Sequence, residues 1–317
     1  MLILIFYFGL TLLFRARSWY RHKQFLKDSR YKEAFEGREL DRWKNNYTTL
    51  FFAGNGASFS QASKYCGELG VPERSWGHPR PYAIPSIRTL IKPYPYEPRD
   101  PFDVERGFLT YLLHPVYSLC HLYNGIRDHD PYWTDPRKIN LAQEDDLNRA
   151  VHRIRMALAV DQDRDLILYG CSRGAAVALS ALALLDEESQ KRIKLVVCEG
   201  IFDSVEHVLE TRFGPWVRPI VRYLLSFTRY KPDGSSPLKL VPRLPKNVPV
   251  VLITSEADRV VSKECTMNLY DALKNQVHEV HCLLLTKSSH SGYSSDDLED
   301  AVGYYQMMLK IYRKTLN

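Results

Sequence analysis

Short apolar runs alternate with helical patterns along the second half of the chain. The runs are Asp165–Tyr169, Ile193–Cys198, Val248–Thr254 and Val280–Leu285. The segments between and after them place apolar residues at helical spacing, with helices expected over residues 141–159, 267–273 and 298–312. Strands that alternate with helices favour parallel pairing, because a parallel connection needs a crossover long enough for a helix. The pattern therefore predicts an α/β fold with a mostly parallel central sheet and helices on both faces.

The first half of the chain shows this pattern less clearly. Tyr47–Ala53 is a β-rich run that ends at Gly54-Asn55-Gly56, and a helical pattern follows to about residue 69. Residues 71–105 hold many prolines and no sustained periodicity, which predicts a long irregular excursion.

Residues 201–245 are helical and rich in aromatic side chains, with a proline-rich exit. This composition predicts a helical cap inserted into the domain, which would shield a pocket from water. Burial of the same aromatic residues in the core is an equal alternative.

The N-terminal segment, residues 1–22, differs from the rest. Leu2–Phe14 is almost wholly apolar, and Arg15 and Arg17 follow at once. As a helix this run would span about 20 Å, short of the roughly 30 Å hydrocarbon core. We expect a short membrane anchor or interfacial helix, with the α/β domain, residues 23–317, on the cytoplasmic side. A cleaved signal peptide and a buried first element are the alternatives.

Composition narrows the possible partners and cofactors. A chain of 317 residues can bury a large core, and the net charge of +6 comes largely from a basic cluster after the N-terminus. No basic stripe interleaved with aromatics is present elsewhere, so we expect no nucleic-acid partner. The six cysteines form no CxxC pair and no zinc-finger spacing, so no metal is expected. A reducing compartment is the simpler reading, although six cysteines also allow disulfides.

A Gly-x-Ser-x-Gly sequence carries the clearest chemistry. Gly170, Ser172 and Gly174 lie between a predicted strand and a helix rich in alanine and leucine. A serine hydroxyl is a weak nucleophile, so the chain must expose it on a tight turn where a base can reach it, and flanking glycines let such a turn pack. Ser172 is therefore the candidate nucleophile.

Two later residues fit the order nucleophile, acid, histidine. Asp258 follows the run Val248–Thr254, and His290 follows Val280–Leu285. The carboxyl ends of parallel strands meet at one edge of a sheet, so both side chains are expected beside Ser172. His290 is then the candidate general base, and Asp258 the group that orients its ring.

Acyl transfer also needs donors for the developing oxyanion. Arg173, directly after the candidate nucleophile, should supply one backbone N–H group. The second should come from the turn after the first strand, with Asn55 as the first choice and Gly54 as the alternative. An ordinary glycine-rich turn would have the same sequence.

The chain resembles the α/β-hydrolase superfamily, closest to its membrane-anchored α/β-hydrolase-domain and serine-peptidase-like branches. The resemblance covers about residues 47–312, although Ala53 stands where the family commonly has histidine and residues 71–135 match nothing. The segments that carry it are Phe51–Ser58, Gly170–Gly174, Cys198–Ser204, Ser236-Pro-Leu, Val248–Asp258 and His290.

The resemblance implies an enzyme that cleaves an ester, thioester or amide through an acyl-enzyme, without metal or organic cofactor. Glu199 is the reserve acid, since some family members take theirs from that position. Asp203 is expected to cap a helix. If the aromatic segment is a cap beside a membrane, a lipophilic acyl ester is the favoured substrate. The alternatives are a catalytically silent scaffold or binding protein, and an acyltransferase that uses the same residues.

Overall fold

The structure is a computed structural model of the chain. It describes residues 20–21, 23–36, 47–52, 143–160, 162–226, 236–276, 279–290 and 292–315. Most of the N-terminal segment lies outside this description, as do Gly54, Asn55 and the whole excursion after residue 70. In the described part, no helix combines the length and hydropathy needed to cross a bilayer.

Parallel strands form the centre of the fold, in the sequential order β1-β2-β3-β4-β5. Their registers place Phe51 beside Tyr169, Cys171 beside Glu199, and Ser255 beside Leu285. All carboxyl ends therefore lie at one edge of the sheet. The strands are β1 (Tyr47–Phe52), β2 (Asp165–Cys171), β3 (Ile193–Glu199), β4 (Val250–Ser255) and β5 (Val280–Leu285).

Helices connect these strands, as parallel pairing requires. Two short 3₁₀ turns, Pro215–Val217 and Val241–Arg243, lie among them. The helices of the described chain are α1 (Ser29–Glu36), α2 (Gln143–Val160), α3 (Arg173–Leu182), α4 (Glu187–Lys191), α5 (Val205–Phe213), α6 (Arg218–Ser226), α7 (Pro237–Leu240), α8 (Lys263–Asn275) and α9 (Leu298–Thr315).

The sheet is covered on both faces, because successive strand residues point to opposite sides. Leu166 and Leu168 belong to a core shared with α2, α3 and α8. Ile167 and Tyr169 belong to a second core, shared with α1 and α9. This three-layer arrangement confirms the predicted α/β fold with helices on both sides of a parallel sheet.

The predicted elements of the second half are present, with ends that shift by a few residues. β4 begins at Val250 rather than at Val248, because Pro249 lacks the amide hydrogen that a strand residue donates. Residues 29–36 also form a helix, α1. This helix packs on α9 through the edge-to-face pair Tyr31–Tyr305 and the ion pair Arg30–Glu299.

Helical structure also fills the described part of the predicted cap range, in α5, α6 and α7. The role of this segment as a cap stays a prediction. The cysteines that the structure describes, Cys171, Cys198, Cys265 and Cys282, are free thiols.

Candidate active site

Ser172 lies on a sharp turn between β2 and α3. Its φ is 54° and its ψ is −122°, and no other non-glycine residue of the described chain has a positive φ. Such a conformation costs roughly 1–3 kcal/mol, so the surrounding structure must hold it in place. The Ser172 N–H donates to the Glu199 carbonyl at 2.6 Å, and the Ser172 carbonyl accepts from the N–H of Ala175 at 3.0 Å. The first turn of α3 is thereby fixed at the end of β2.

Gly170 makes this turn sterically possible. A Cβ atom at this position would lie 2.5 Å from the Ala175 Cα and 2.6 Å from the Gly174 carbonyl oxygen. Backbone atoms cannot move aside as a flexible side chain would. The glycine two residues before Ser172 is therefore required by the close approach of α3 to the strand, as the sequence pattern predicted.

Asp258 and His290 form a hydrogen-bonded pair at the carboxyl ends of β4 and β5. The Asp258 Oδ2 atom lies 2.7 Å from the His290 Nδ1 atom. The Asp258 side chain is fully buried, whereas that of His290 is 15% exposed. The Oδ1 atom of Asp258 accepts the backbone N–H groups of Val260 at 2.8 Å and Val261 at 3.0 Å. This pairing assigns the Nδ1 proton to the side of Asp258 and leaves Nε2 as the basic nitrogen.

Tyr293 also bonds to Asp258, and the sequence analysis did not predict this residue. Its hydroxyl donates to the Oδ2 atom of Asp258 at 2.5 Å, the same oxygen that faces His290. Burial opposes ionisation of Asp258, but hydrogen bonds from His290, Tyr293 and Val261, with the charge of His290, outweigh it and hold its pKa below the usual value. Burial and the neighbouring Asp258 raise the pKa of Tyr293 well above 10, so its hydroxyl stays a donor.

The loop that carries His290 is fixed by a carboxylate from the next helix. Asp300, in the first turn of α9, accepts the backbone N–H groups of Thr286 at 3.0 Å, Lys287 at 2.8 Å and Ser288 at 2.7 Å. Burial raises the pKa of Asp300, and these donors lower it by more, so the net shift is downward. The sequence reading did not single out Asp300, because it lies ten residues beyond the histidine on another element.

Gly200 brings the histidine loop against the end of β3. It has a φ of +55°, and a Cβ atom there would lie 2.9 Å from the His290 Cε1 atom and 2.8 Å from the Tyr293 hydroxyl. The residue before it, Glu199, accepts the Ser172 N–H through its carbonyl. The His290 ring therefore lies against Gly200, and the residue directly before Gly200 is bonded to the Ser172 backbone. The three predicted residues thus come from β2, β4 and β5 to one edge of the sheet.

Glu199, the reserve acid, has different neighbours. Its carboxylate is 1% exposed and accepts from the hydroxyl of Tyr304 at 2.5 Å, and it also pairs with the Tyr169 hydroxyl. The Cys171 Sγ atom lies 3.4 Å from its second oxygen. The carboxylate that the structure joins to His290 is therefore that of Asp258, while Glu199 lies in a tyrosine-lined core below the Ser172 turn.

The predicted oxyanion donors are described only in part. Arg173 is the first residue of α3, so its N–H group belongs to the positive end of a ten-residue helix directly after Ser172. Asn55 and Gly54 lie outside the described residues, and their roles stay predictions. Asp203 lies before α5 and accepts the Ser204 N–H at 2.7 Å, but the N-cap residue of that helix is Ser204 itself.

The family comparison agrees with this chemistry. A family model described as "Serine hydrolase (FSH1)" matches residues 127–291, just over half of the chain. The chain belongs to the FSH1 serine hydrolase family. It is thus a serine hydrolase of the α/β-hydrolase superfamily, and the matched range contains Ser172, Asp258 and His290. No curated protein sequence matches the chain significantly.

Solved structures of related architecture include several hydrolases. An esterase from Thermogutta terrifontis is 15% identical with a TM-score of 0.48, covering 86% of this chain and 82% of its own. The acylaminoacyl peptidase of Pyrococcus horikoshii is 17% identical with a TM-score of 0.44, over 55% of this chain and 28% of the peptidase. A puromycin-hydrolyzing peptidase of Mycobacterium tuberculosis is 20% identical with a TM-score of 0.43, over 54% and 25%. The chain thus spans less than a third of the length of these peptidases.

Proposed function

We propose that the chain hydrolyses an ester, thioester or amide of a lipophilic acyl group, with Ser172 as nucleophile, His290 as general base and Asp258 as the orienting acid. The observation that carries this proposal is the positive φ of Ser172 on the β2–α3 turn. Strained backbone of this kind costs stability and clusters at active sites, and a strand-to-helix turn of this form exposes a serine hydroxyl. The buried Asp258–His290 pair at the same edge of the sheet supplies the base.

The proposed reaction has two halves. The Ser172 Oγ attacks the substrate carbonyl carbon while its proton passes to His290 Nε2. The carbonyl π electrons move to the oxygen, which the Arg173 N–H and a donor from Asn55 or Gly54 would stabilise. The tetrahedral intermediate expels the alcohol, thiol or amine, which takes the proton from His290. Water then attacks the acyl-enzyme by the same route and releases the acid and free Ser172.

Asp258 is fitted to support the charged form of His290 during these steps. Its carboxylate is ionised at neutral pH, since hydrogen bonds hold its pKa below the usual value. Burial removes competing water, so the charge acts on the imidazolium through a short hydrogen bond. The proton stays on the histidine, because the carboxylate only orients and stabilises the ring.

A stripe of exposed apolar side chains supports the lipophilic substrate. Phe213, Trp216, Ile220 and Tyr223 are 50–68% exposed and recur at helical spacing from the end of α5 through α6. Val217 and Val221, next to this stripe, are buried and pack on α5. Aromatic residues exposed in this way are typical of surfaces that meet acyl chains or lipid. Membrane association through residues 1–22 belongs to the same proposal.

Labelling with a fluorophosphonate probe tests the nucleophile. The wild-type protein should be labelled at Ser172, and Ser172→Ala should abolish labelling because the hydroxyl is lost. Ser189→Ala, on the short helix α4, is the matched control and should keep it. Asp258→Asn should slow labelling by about three to four orders of magnitude, because it favours the wrong histidine tautomer.

Acyl esters of increasing chain length then test the substrate class. Rising kcat/KM with chain length supports a lipophilic acyl group, and a preference for acetyl esters contradicts it. A folded wild-type protein that takes no label overturns the enzyme proposal in favour of a silent scaffold. Turnover that requires an added alcohol, thiol or amine acceptor instead of water identifies an acyltransferase.

A further inference from the structure

A second cluster of reactive side chains lies between the end of β3 and the start of α8. Asp203, His207 and Cys265 bring a carboxylate oxygen, an imidazole nitrogen and a sulfur within 4.8 Å of one another. Asp203 and Cys265 are 2% and 0% exposed, whereas the His207 ring is 26% exposed. The cluster is therefore buried on two sides and open to solvent through the histidine.

These three groups have the chemistry of a transition-metal site. Thiolate, imidazole and carboxylate are the ligand types of Zn²⁺ in proteins, in contrast to the all-oxygen sets of Ca²⁺ and Mg²⁺. A thiolate and a carboxylate also carry two negative charges, which balance a divalent cation. Asp203 lies just before the N-cap of α5 and His207 lies in the first turn of that helix, and their side chains are already in contact at 2.7 Å.

Asn268 supplies a fourth donor. Its side-chain nitrogen is placed 3.1 Å from the Asp203 Oδ2 atom and 3.4 Å from the His207 Nδ1 atom. The oxygen and nitrogen of an amide have nearly the same shape, so a half-turn of the group presents Oδ1 at this point instead. Asn268 and Cys265 are three residues apart on α8, while His207 lies in the first turn of α5 and Asp203 just before that helix. The cluster thus offers four donors, which is the usual number of ligands in a structural zinc site.

Other uses of Cys265 agree less well with its surroundings. The residue is 0% exposed, so an external electrophile or oxidant does not reach its sulfur. A bound divalent cation would stabilise the Cys265 thiolate directly.

We propose that Asp203, His207, Cys265 and the amide oxygen of Asn268 bind one Zn²⁺ or Co²⁺ ion. Binding releases the Cys265 thiol proton, and the His207 proton moves to the solvent-facing Nε2 so that Nδ1 ligates the metal. The hydrogen bond of 2.7 Å between Asp203 and His207 is replaced by two metal–ligand bonds. The ion would join α5 to α8, which begins five residues after Asp258. This site is independent of the hydrolytic function.

Cobalt titration of the full, tag-free chain after chelator treatment tests the proposal. A single equivalent of Co²⁺ should produce thiolate-to-metal charge-transfer absorption. Added Zn²⁺ should displace the Co²⁺ and remove this absorption. Cys265→Ser should abolish that band, and His207→Gln or Asn268→Ala should weaken binding at least tenfold. Cys282→Ser removes a half-buried thiol outside the cluster and is the control, so it should bind like wild type.

Absence of the band in wild type, or its persistence in Cys265→Ser, overturns the site and leaves Asp203, His207 and Asn268 as a hydrogen-bonded cluster. If Cys265→Ser does not fold, His207→Gln decides, because that side chain is partly exposed; unchanged affinity then contradicts the proposal. Ser172→Ala should keep full metal binding and lose fluorophosphonate labelling. The two proposals therefore fail separately.

Discussion

The Tyr293 hydroxyl offers the sharpest test of how the Asp258–His290 pair is held. Tyr293→Phe removes one oxygen atom and keeps the buried ring, which is 1% exposed. The change deletes the 2.5 Å hydrogen bond to Asp258 Oδ2. It leaves the bond to His290 at the same oxygen and the two backbone donors, Val260 and Val261, at the other.

The expected loss of stability follows from this inventory. A hydrogen bond to a charged group contributes about 1.5–3 kcal/mol to folding. Asp258 keeps three other donors and is not left unsatisfied, so we expect the lower part of this range, about 2 kcal/mol. The same loss raises the pKa of Asp258, because one of the donors that stabilise its charged form is gone. Asp258 then stays ionised at pH 7, so labelling of Ser172 should slow by less than about tenfold.

Denaturant unfolding at pH 7 and fluorophosphonate labelling rates measure the two effects separately. Tyr270→Phe, a partly exposed tyrosine on α8, is the matched control and should change the unfolding free energy by less than about 0.5 kcal/mol. Unchanged stability in Tyr293→Phe would refute the reasoning. So would a labelling defect as large as that of Asp258→Asn, since it would make the tyrosine essential to the pair and not a support for it.

Three further predictions concern the supports of the site. Gly200→Ala should slow labelling by at least tenfold, because the new Cβ displaces His290. Circular dichroism should show that the secondary structure is retained. Labelling at the wild-type rate would contradict the contact between Gly200 and His290. Asp300→Ala should lower the unfolding free energy by about 3 kcal/mol in denaturant melts and slow labelling, because three backbone donors of the histidine loop lose their acceptor; Asp271→Ala on α8 is the control. Asp258 and Asp300 both have lowered pKa values, so their stabilisation is present above about pH 4 and is lost as pH falls through their folded-state pKa values. Melts from pH 7 to pH 2 should therefore show a steeper decline for wild type than for Asp300→Ala, and parallel curves would contradict this.

The sheet and the order of the site residues could be predicted because they depend on local patterns. Apolar runs such as Ile193–Cys198 are too short and too uniform for surface helices, and the segments between them have helical spacing. Parallel pairing then gathers whatever follows each strand at one edge. Asp258 and His290 were predicted from this rule together with the chain order nucleophile, acid, histidine.

The supports of the site could not be predicted, because they join elements by side chains that have many possible partners. Tyr293 lies 35 residues from Asp258, and Tyr304 lies 105 residues from Glu199. The sequence around a tyrosine in a loop or an amphipathic helix does not indicate which group its hydroxyl will donate to. The position of Asp203 before α5 was compatible with a helix cap, yet Ser204 has that role, since its side chain accepts the His207 N–H.

The Gly-x-Ser-x-Gly sequence shows what gives a short pattern its value. Gly170 is required because α3 approaches within 2.5 Å of where its Cβ would lie, and Ser172 takes up a positive φ that a serine seldom adopts. Both conditions have one cause: the chain passes from strand β2 to helix α3 through the single residue Ser172. The same pattern on a loop without this strand-to-helix turn would meet neither condition. A Gly-x-Ser-x-Gly motif therefore indicates a nucleophile only where a strand precedes it and a tightly packed helix follows it, and this chain has both.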